Sequence, residues 1–454
     1  MAKDYKINMT EGGILGKLLL FSIPIMLSGM LQLLFNTADT IVVGKFAGDA
    51  SLAAVGSNSA LINIFINLFV GLAVGTNVIV AQAIGSRDND LAHDTVHTSV
   101  LFSLFAGVIL AVLGFFTSRT VLRLMSTPED VIDKATLYLK IYFMGMPVSM
   151  LYNYSEAIMR AIGDTRRPMI YLIISGVTNV LLNLLFVIKF KMDVAGVAIA
   201  TIISQAVSAM LIVRALMTLE GPCRLDLKCL KIDRRILLRM MKIGIPSGIG
   251  GTVVSFANIT IQSAINSFGK IVMAANAAAI NIEGFLWIAV SSFGQGSLSF
   301  TGQNYAAGKM KRIKRIVLTA SVVAVLLVAG LSVLSVVFSK NLLSLYSDSA
   351  EVIRYGMVRA FYNYPLYFIL CFTEIFGGSL RGMGRSFAPT VMMLITTCFF
   401  RVMWVYCIFP FDPRLENLYI SYPVSWILAA TSHIIYFIIV YRKEKKTMVI
   451  SPKI

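Results

Sequence analysis

Apolar residues in this 454-residue chain come in long runs, each ended by a short polar segment. The twelve runs cover 18–43, 52–84, 95–117, 136–159, 168–190, 194–217, 238–267, 273–305, 315–338, 354–380, 388–410 and 416–441. A helix needs about 20 consecutive apolar residues to cross a bilayer, whereas a helix of a soluble core shows only an apolar stripe. The pattern therefore predicts an all-α integral membrane protein with twelve transmembrane helices. The first run is too long, and follows too polar a stretch from Met1 to Lys17, for a cleaved leader, so the first helix is expected to stay in the mature chain.

Composition sharpens the picture through the placement of charge. Only 14% of residues are charged and mean hydropathy is +0.79, against about 25% charged in soluble domains. The net charge of +17 would suggest nucleic acid in a soluble chain. Here 27 of the 40 Lys and Arg fall on segments that share one side of the membrane if the N-terminus is cytoplasmic. Arg214 to Lys242, Lys309 to Arg315 and the tail after Tyr441 carry most of them, and Arg401 lies inside a span. The positive-inside rule then puts both termini in the cytoplasm of a multi-pass protein of the inner (cytoplasmic) membrane. Its basic loops are orienting signals, with lipid and not nucleic acid as the partner.

The five cysteines show no metal-ligand spacing, and His93 and His97, one turn apart, have no third ligand nearby. No cofactor or bound metal is expected beyond a transported H⁺ or Na⁺. The pair is read as a solvated helix start.

The two halves of the chain repeat. Phe35 matches Phe256, Gly48 matches Gly269, Gln82 matches Gln303, Arg160 matches Arg381, Gly163 matches Gly384 and Pro168 matches Pro389, all at an offset of 221. Six helices separate equivalent positions, and an even number returns each half to the same orientation, so the repeats are parallel. The predicted organisation is an N-terminal six-helix lobe over 1–217, a cytoplasmic linker over 218–237, a C-terminal six-helix lobe over 238–441 and a basic cytoplasmic tail over 442–454.

Carboxylates inside spans are functional candidates, because each costs about 2.5 to 3.5 kcal/mol at the bilayer centre on insertion scales. Asp39 is the clearest. It extends a polar stripe of Gln32, Asn36 and Thr40 on the first helix. Glu156 in the fourth span is a second acid, with Arg160 one turn on as a local partner.

Several segments resemble the multidrug and toxic compound extrusion (MATE) family, nearer its DinF and MepA-like branch than its NorM branch. They are LQLLFNTADTIVVGKFAG from Leu31, VAQAIG from Val80, MRAIGDTRRPM from Met159, GIPSGIGG from Gly244, GQNYAAGK from Gly302, SLRGMGRSFAPT from Ser379 and SYPVSW from Ser421. The resemblance implies a V-shaped pair of lobes and cation-driven export of drugs or metabolites. It also implies a coupling cluster on the N-terminal lobe, which falls here on Asp39, Asn179, Asn183 and Thr201. Asn183 departs from relatives that carry a second carboxylate there. An amide can coordinate Na⁺ or bond a carboxylate but cannot carry a proton, so Glu156 is the candidate for a second acid.

The second half does not copy this chemistry. Asp39 maps to Thr260, and the seventh helix offers Asn258, Gln262 and Asn266 without an acid. Gln32, Asn36, Asn258, Gln262, Glu283 and Glu374 are the candidate lining of a substrate cavity, with Arg359 and Arg381 as alternative partners for the two glutamates. The expected function is a monomeric cation-coupled (H⁺ or Na⁺) antiporter that exports small amphipathic organic cations. A flippase for a lipid-linked saccharide is the alternative. It would require interior Arg and Lys for its diphosphate, whereas the interior acids here are expected to outnumber the bases. A membrane-embedded enzyme lacks a nucleophile with a base, or a metal set.

Overall fold

The computed structural model describes residues 6–46, 48–125 and 127–450. Lys3 and Lys453, counted above among the cytoplasmic cations, lie outside them, as do the last four residues of the basic tail. Regular structure among the described residues is helical throughout. The first half runs α1 (Ile14–Phe46), α2 (Asp49–Ser86), α3 (Asn89–Leu124), α4 (Glu129–Met144), α5 (Met146–Ala161), α6 (Arg166–Asn183) and α7 (Asp193–Met217). The second runs α8 (Arg234–Asn266), α9 (Lys270–Ala306), α10 (Met310–Val337), α11 (Ser339–Ser344), α12 (Ala350–Asn363), α13 (Ile369–Gly382), α14 (Phe387–Met393), α15 (Phe400–Met403) and α16 (Leu415–Ile450).

Among the described residues, ten helices are long and apolar enough to cross a bilayer as single pieces. The other two predicted spans, 136–159 and 354–380, are each broken. α4 stops at Gly145 and α5 restarts with Pro147 in its first turn, while α12 gives way to a 3₁₀ turn over Tyr364–Leu366 that carries Pro365. Proline has no N–H to give the preceding turn and its ring crowds the carbonyl four residues back. Two prolines at nearly equivalent places in the repeat thus interrupt equivalent spans.

The backbone repeats as the sequence does. Left-handed corners occur at Gly48 (φ 83°) and Gly269 (φ 94°), at Gly163 (φ 90°) and Gly384 (φ 80°), and at Arg87 (φ 58°) and Gly308 (φ 70°). Each pair is separated by the same 221 residues. A side chain costs about 1 to 2 kcal/mol in this region and glycine avoids it.

Packing divides the chain into two compact units. One holds residues up to Ile7 together with Leu27–Gly244, and the other holds Asn8–Met26 together with the chain from Ile245 onward. The change of unit therefore falls inside α1, beside Pro24, and inside α8, beside Pro246, and not in the polar stretch 218–237. That stretch is fastened to the first unit. Cys223 and Leu225 are buried with Ile212, Leu216 and Val96, and the Asp226 and Asp233 amides donate to His97 Nε2 (3.0 Å) and Thr98 Oγ1 (3.1 Å).

In the first unit α3 packs on α4 and α5, α5 on α2 and α7, and α6 on α7. In the second, α9 is central and touches α10, α12 and α13. A Cβ at Gly378 of α13 would lie 2.5 Å from the Gly294 carbonyl oxygen of α9, so this crossing needs glycine.

Candidate functional site

Asp39 stands on α1 within the first unit, one helical stripe away from the core residues Val42 and Val43. Its partner comes from α6. Asn183 is fully buried, and its Nδ2 donates to Asp39 Oδ1 at 2.5 Å and to Asn179 Oδ1 at 3.2 Å. Turning the Asn179 amide over places its nitrogen 2.7 Å from the same Asp39 oxygen, so both amides can face the carboxylate. The i, i+4 spacing on α6 makes this possible, because it stacks the two amides on one face. Immediately after Asn183 the helix widens into a π turn over Leu184–Lys189, a distortion common at functional sites. The Tyr138 phenol of α4 is within electrostatic reach of Asp39, a neighbour that sequence reading missed.

The other first-half candidates do not join this cluster. Thr201 donates its hydroxyl to Val197 of its own helix at 2.9 Å. Glu156 pairs with Arg160 at 3.3 Å, and α5, on which it sits, packs against α2, α3 and α7. No hydrogen bond among the described residues links Glu156 to Asp39. Gln32 and Asn36 lie on the exposed part of α1 beside Asp39.

The second unit holds a larger polar network, none of it acidic beyond one glutamate. Glu283 on α9 receives both Nε and Nη2 of Arg359 on α12, each at 2.8 Å. Arg359 is only 2% exposed and also donates to Asn276 at 2.7 Å. Asn276 in turn donates to Gln262 at 2.6 Å, and Gln262 donates to Asn266 at 2.8 Å. Glu374 pairs with Arg381 at 3.3 Å. Both glutamates considered for substrate contact thus already have arginine partners. Arg359, expected as an alternative partner for one of the two glutamates, is an interior residue.

Arg401 is also interior. It lies on α15, a single α turn set between π turns over Leu394–Phe399 and Trp404–Ile408. Its Nε donates to Ser425 Oγ at 3.0 Å and its Nη1 to Asn258 Oδ1 at 2.9 Å. The expectation that interior acids outnumber interior bases is therefore reversed in the second unit, which buries Arg359 and Arg401 against Glu283 alone.

His93 and His97 stack with ring centroids 4.1 Å apart, but His97 is fully buried and fastens the loop at Asp226. It is a structural residue and not a solvated helix start. Among the described residues no group of three or more His, Cys, Asp or Glu could hold a metal ion.

Comparison with known proteins agrees with this architecture. The sequence model of the MatE family matches residues 24–185 and again 246–407. The two copies start beside the prolines where α1 and α8 change unit. The probable multidrug resistance protein YoeA of Bacillus subtilis is 27% identical over 95% of both chains. The multidrug export protein MepA of Staphylococcus saprophyticus is 20% identical over 83% of each. Among solved structures, a crystal structure of MATE in complex with MaL6 superposes with a TM-score of 0.91 at 22% identity, covering 96% of this chain and 98% of that one.

Proposed function

We propose, from the premise that this chain belongs to the MatE family of multi-pass membrane transporters, that it is a cation-coupled antiporter exporting amphipathic organic cations, drugs among them, across the cytoplasmic membrane with both termini inside. The observation that carries the reading is the Asp39 carboxylate bonded by Asn183. It is a lone acid in a membrane span, half-buried, with amides for neighbours and no basic partner among the described residues. Entry of H⁺ or Na⁺ neutralises it, and departure of the ion restores its charge. The hydrogen bond to Asn183 is strong in one state and weak in the other. A local event at one atom therefore biases the contact between α1 and α6.

Either ion suits the donor set. A proton needs only the carboxylate, whereas Na⁺ needs several oxygens at once, which Asp39, Asn179 and Asn183 can supply. Electrical balance limits the cycle. One H⁺ entering for one monovalent cation leaving moves no net charge, so the membrane potential, worth about 2.3 kcal/mol per charge per 100 mV, contributes nothing. Such an exchange runs on ΔpH or on more than one ion. The test is uptake of a fluorescent organic cation into inverted vesicles with ΔpH, membrane potential and Na⁺ gradient imposed separately. Export driven by either ion gradient is expected, and indifference to both overturns the proposal.

A further inference from the structure

The repeat puts opposite charges at corresponding places in the two units. In the first, an acid on α1 is bonded by an amide on α6. In the second, the arginine at 401 bonds an amide at 258 on α8, and the offset of 221 carries Asp39 to Thr260 and Asn179 to Phe400, each within two residues of this pair. The carboxylate is replaced by an amide, and the amide by a guanidinium.

Arg401 has no acid of its own. It is 3% exposed, with neutral partners in Ser425 and Asn258, and its guanidinium lies 4.2 Å from the centroid of the Tyr422 ring. The nearby Glu283 is held bidentately by Arg359, which lies 4.8 Å from the same ring. That pair is neutral as a unit, so one full positive charge is left over beneath the surface of the second unit. Among the described residues, Nη2 of Arg401 donates to nothing. The charge is also within reach from outside, because its partner Asn258 is exposed. Ala257, Ile261 and Ile265 turn into the core, while Asn258 and Asn266 are exposed and Gln262 half-buried on the polar stripe of α8. A polar stripe of that kind in a membrane span faces water and not lipid.

We propose that Arg401 is the anchor for an oxyanion, a carboxylate in particular, on the exported molecule, so that the preferred cargo is a cationic amphiphile that also carries a negative group. This rests on the export reading above and narrows its substrate class. A guanidinium held by Nε and Nη1 presents its remaining N–H groups to a planar carboxylate, and the Tyr422 ring keeps its plane fixed.

The test uses two dyes that differ by one ester. Rhodamine 110 carries a free carboxylate, and rhodamine 123 is its methyl ester and a plain cation. Binding to the purified full chain in detergent is followed by fluorescence anisotropy with no ion gradient, so the result is independent of coupling. Wild type should bind the acid more tightly than the ester by about tenfold, the ratio that one charge-assisted hydrogen bond supplies. In Arg401→Gln that ratio should fall to near one, and in Arg401→Lys it should be largely kept. A wild-type protein that binds the ester as tightly as the acid, or binds no acid, overturns the proposal without any variant, as does a ratio unchanged in Arg401→Gln. Dioleoyl phosphatidic acid serves as a competitor. Binding of that lipid with no binding of rhodamine 110 assigns the charge to a lipid phosphate and overturns the choice of cargo. Selective binding of rhodamine 110 together with gradient-independent efflux leaves the subsite standing and sinks the antiport reading alone.

Discussion

Asn183 Nδ2 lies 2.5 Å from Asp39 Oδ1, a contact that bridges 144 residues of sequence. It converts a lone intramembrane acid into a site with a defined partner, and it fixes what substitution at either end should do.

Asp39→Asn keeps the size and a hydrogen-bonding capacity of the side chain, so the protein should accumulate in the membrane at wild-type level. Gradient-driven efflux should fall to background, since an amide neither exchanges a proton at neutral pH nor supplies charge for Na⁺. Efflux at the wild-type rate in this variant removes Asp39 from the coupling step.

The ion can be told apart on the same face. If Na⁺ drives export, Asn183→Ala should raise the Na⁺ concentration needed for half-maximal transport by about tenfold, the loss of one oxygen contact to a cation. If a proton drives it, that variant should keep its Na⁺ indifference and Asn183→Asp should shift the pH optimum. Glu156→Gln should leave the rate within about twofold in either case, because Glu156 is engaged with Arg160 in an intrahelical pair whose worth is small. A collapse of ΔpH-driven transport in Glu156→Gln reinstates it as a second proton carrier.

Glu283→Gln leaves Arg359 buried without its counter-charge. Removing one partner of a buried ion pair costs about 3 to 5 kcal/mol, so thermal unfolding in detergent should shift well below wild type. The double variant Glu283→Gln, Arg359→Met should recover much of the loss. An unchanged midpoint in the single variant means that the pair is solvated in the native protein.

A reporter fused after Ile454 should behave as cytoplasmic. The motive is the one-sided placement of 27 of the 40 basic residues. Periplasmic or extracellular reporter activity reverses the orientation of every loop discussed above.

Much of this was legible in the sequence for simple reasons. Span length and hydropathy are local properties, and the offset of 221 is visible wherever glycine is required by a left-handed corner. Asp39 was conspicuous because an acid is rare in a span, and its amide partners were indicated by the family resemblance. Pairings at long range were not legible. Arg359 and Arg381 were candidate partners for the two glutamates, but nothing in the sequence says which of them takes Glu283, a contact that spans 76 residues. Pro147 and Pro365 were visible, but whether a proline kinks a span or splits it depends on what fills the gap beside it. Glu156 shows the converse case, where the local i, i+4 partner took precedence over a distant one.

The corners and the charges of this chain obey different kinds of selection. A left-handed turn at 163 and one at 384 exclude side chains for the same steric reason, whatever passes through the protein. A saturating mutational scan should therefore show intolerance at both members of such a pair, like a pattern printed twice. At Asp39 and Thr260, and at Val180 and Arg401, it should show no such echo, because the members of each pair differ in charge. Duplication gave the chain two frames, and each became free to acquire its own sign.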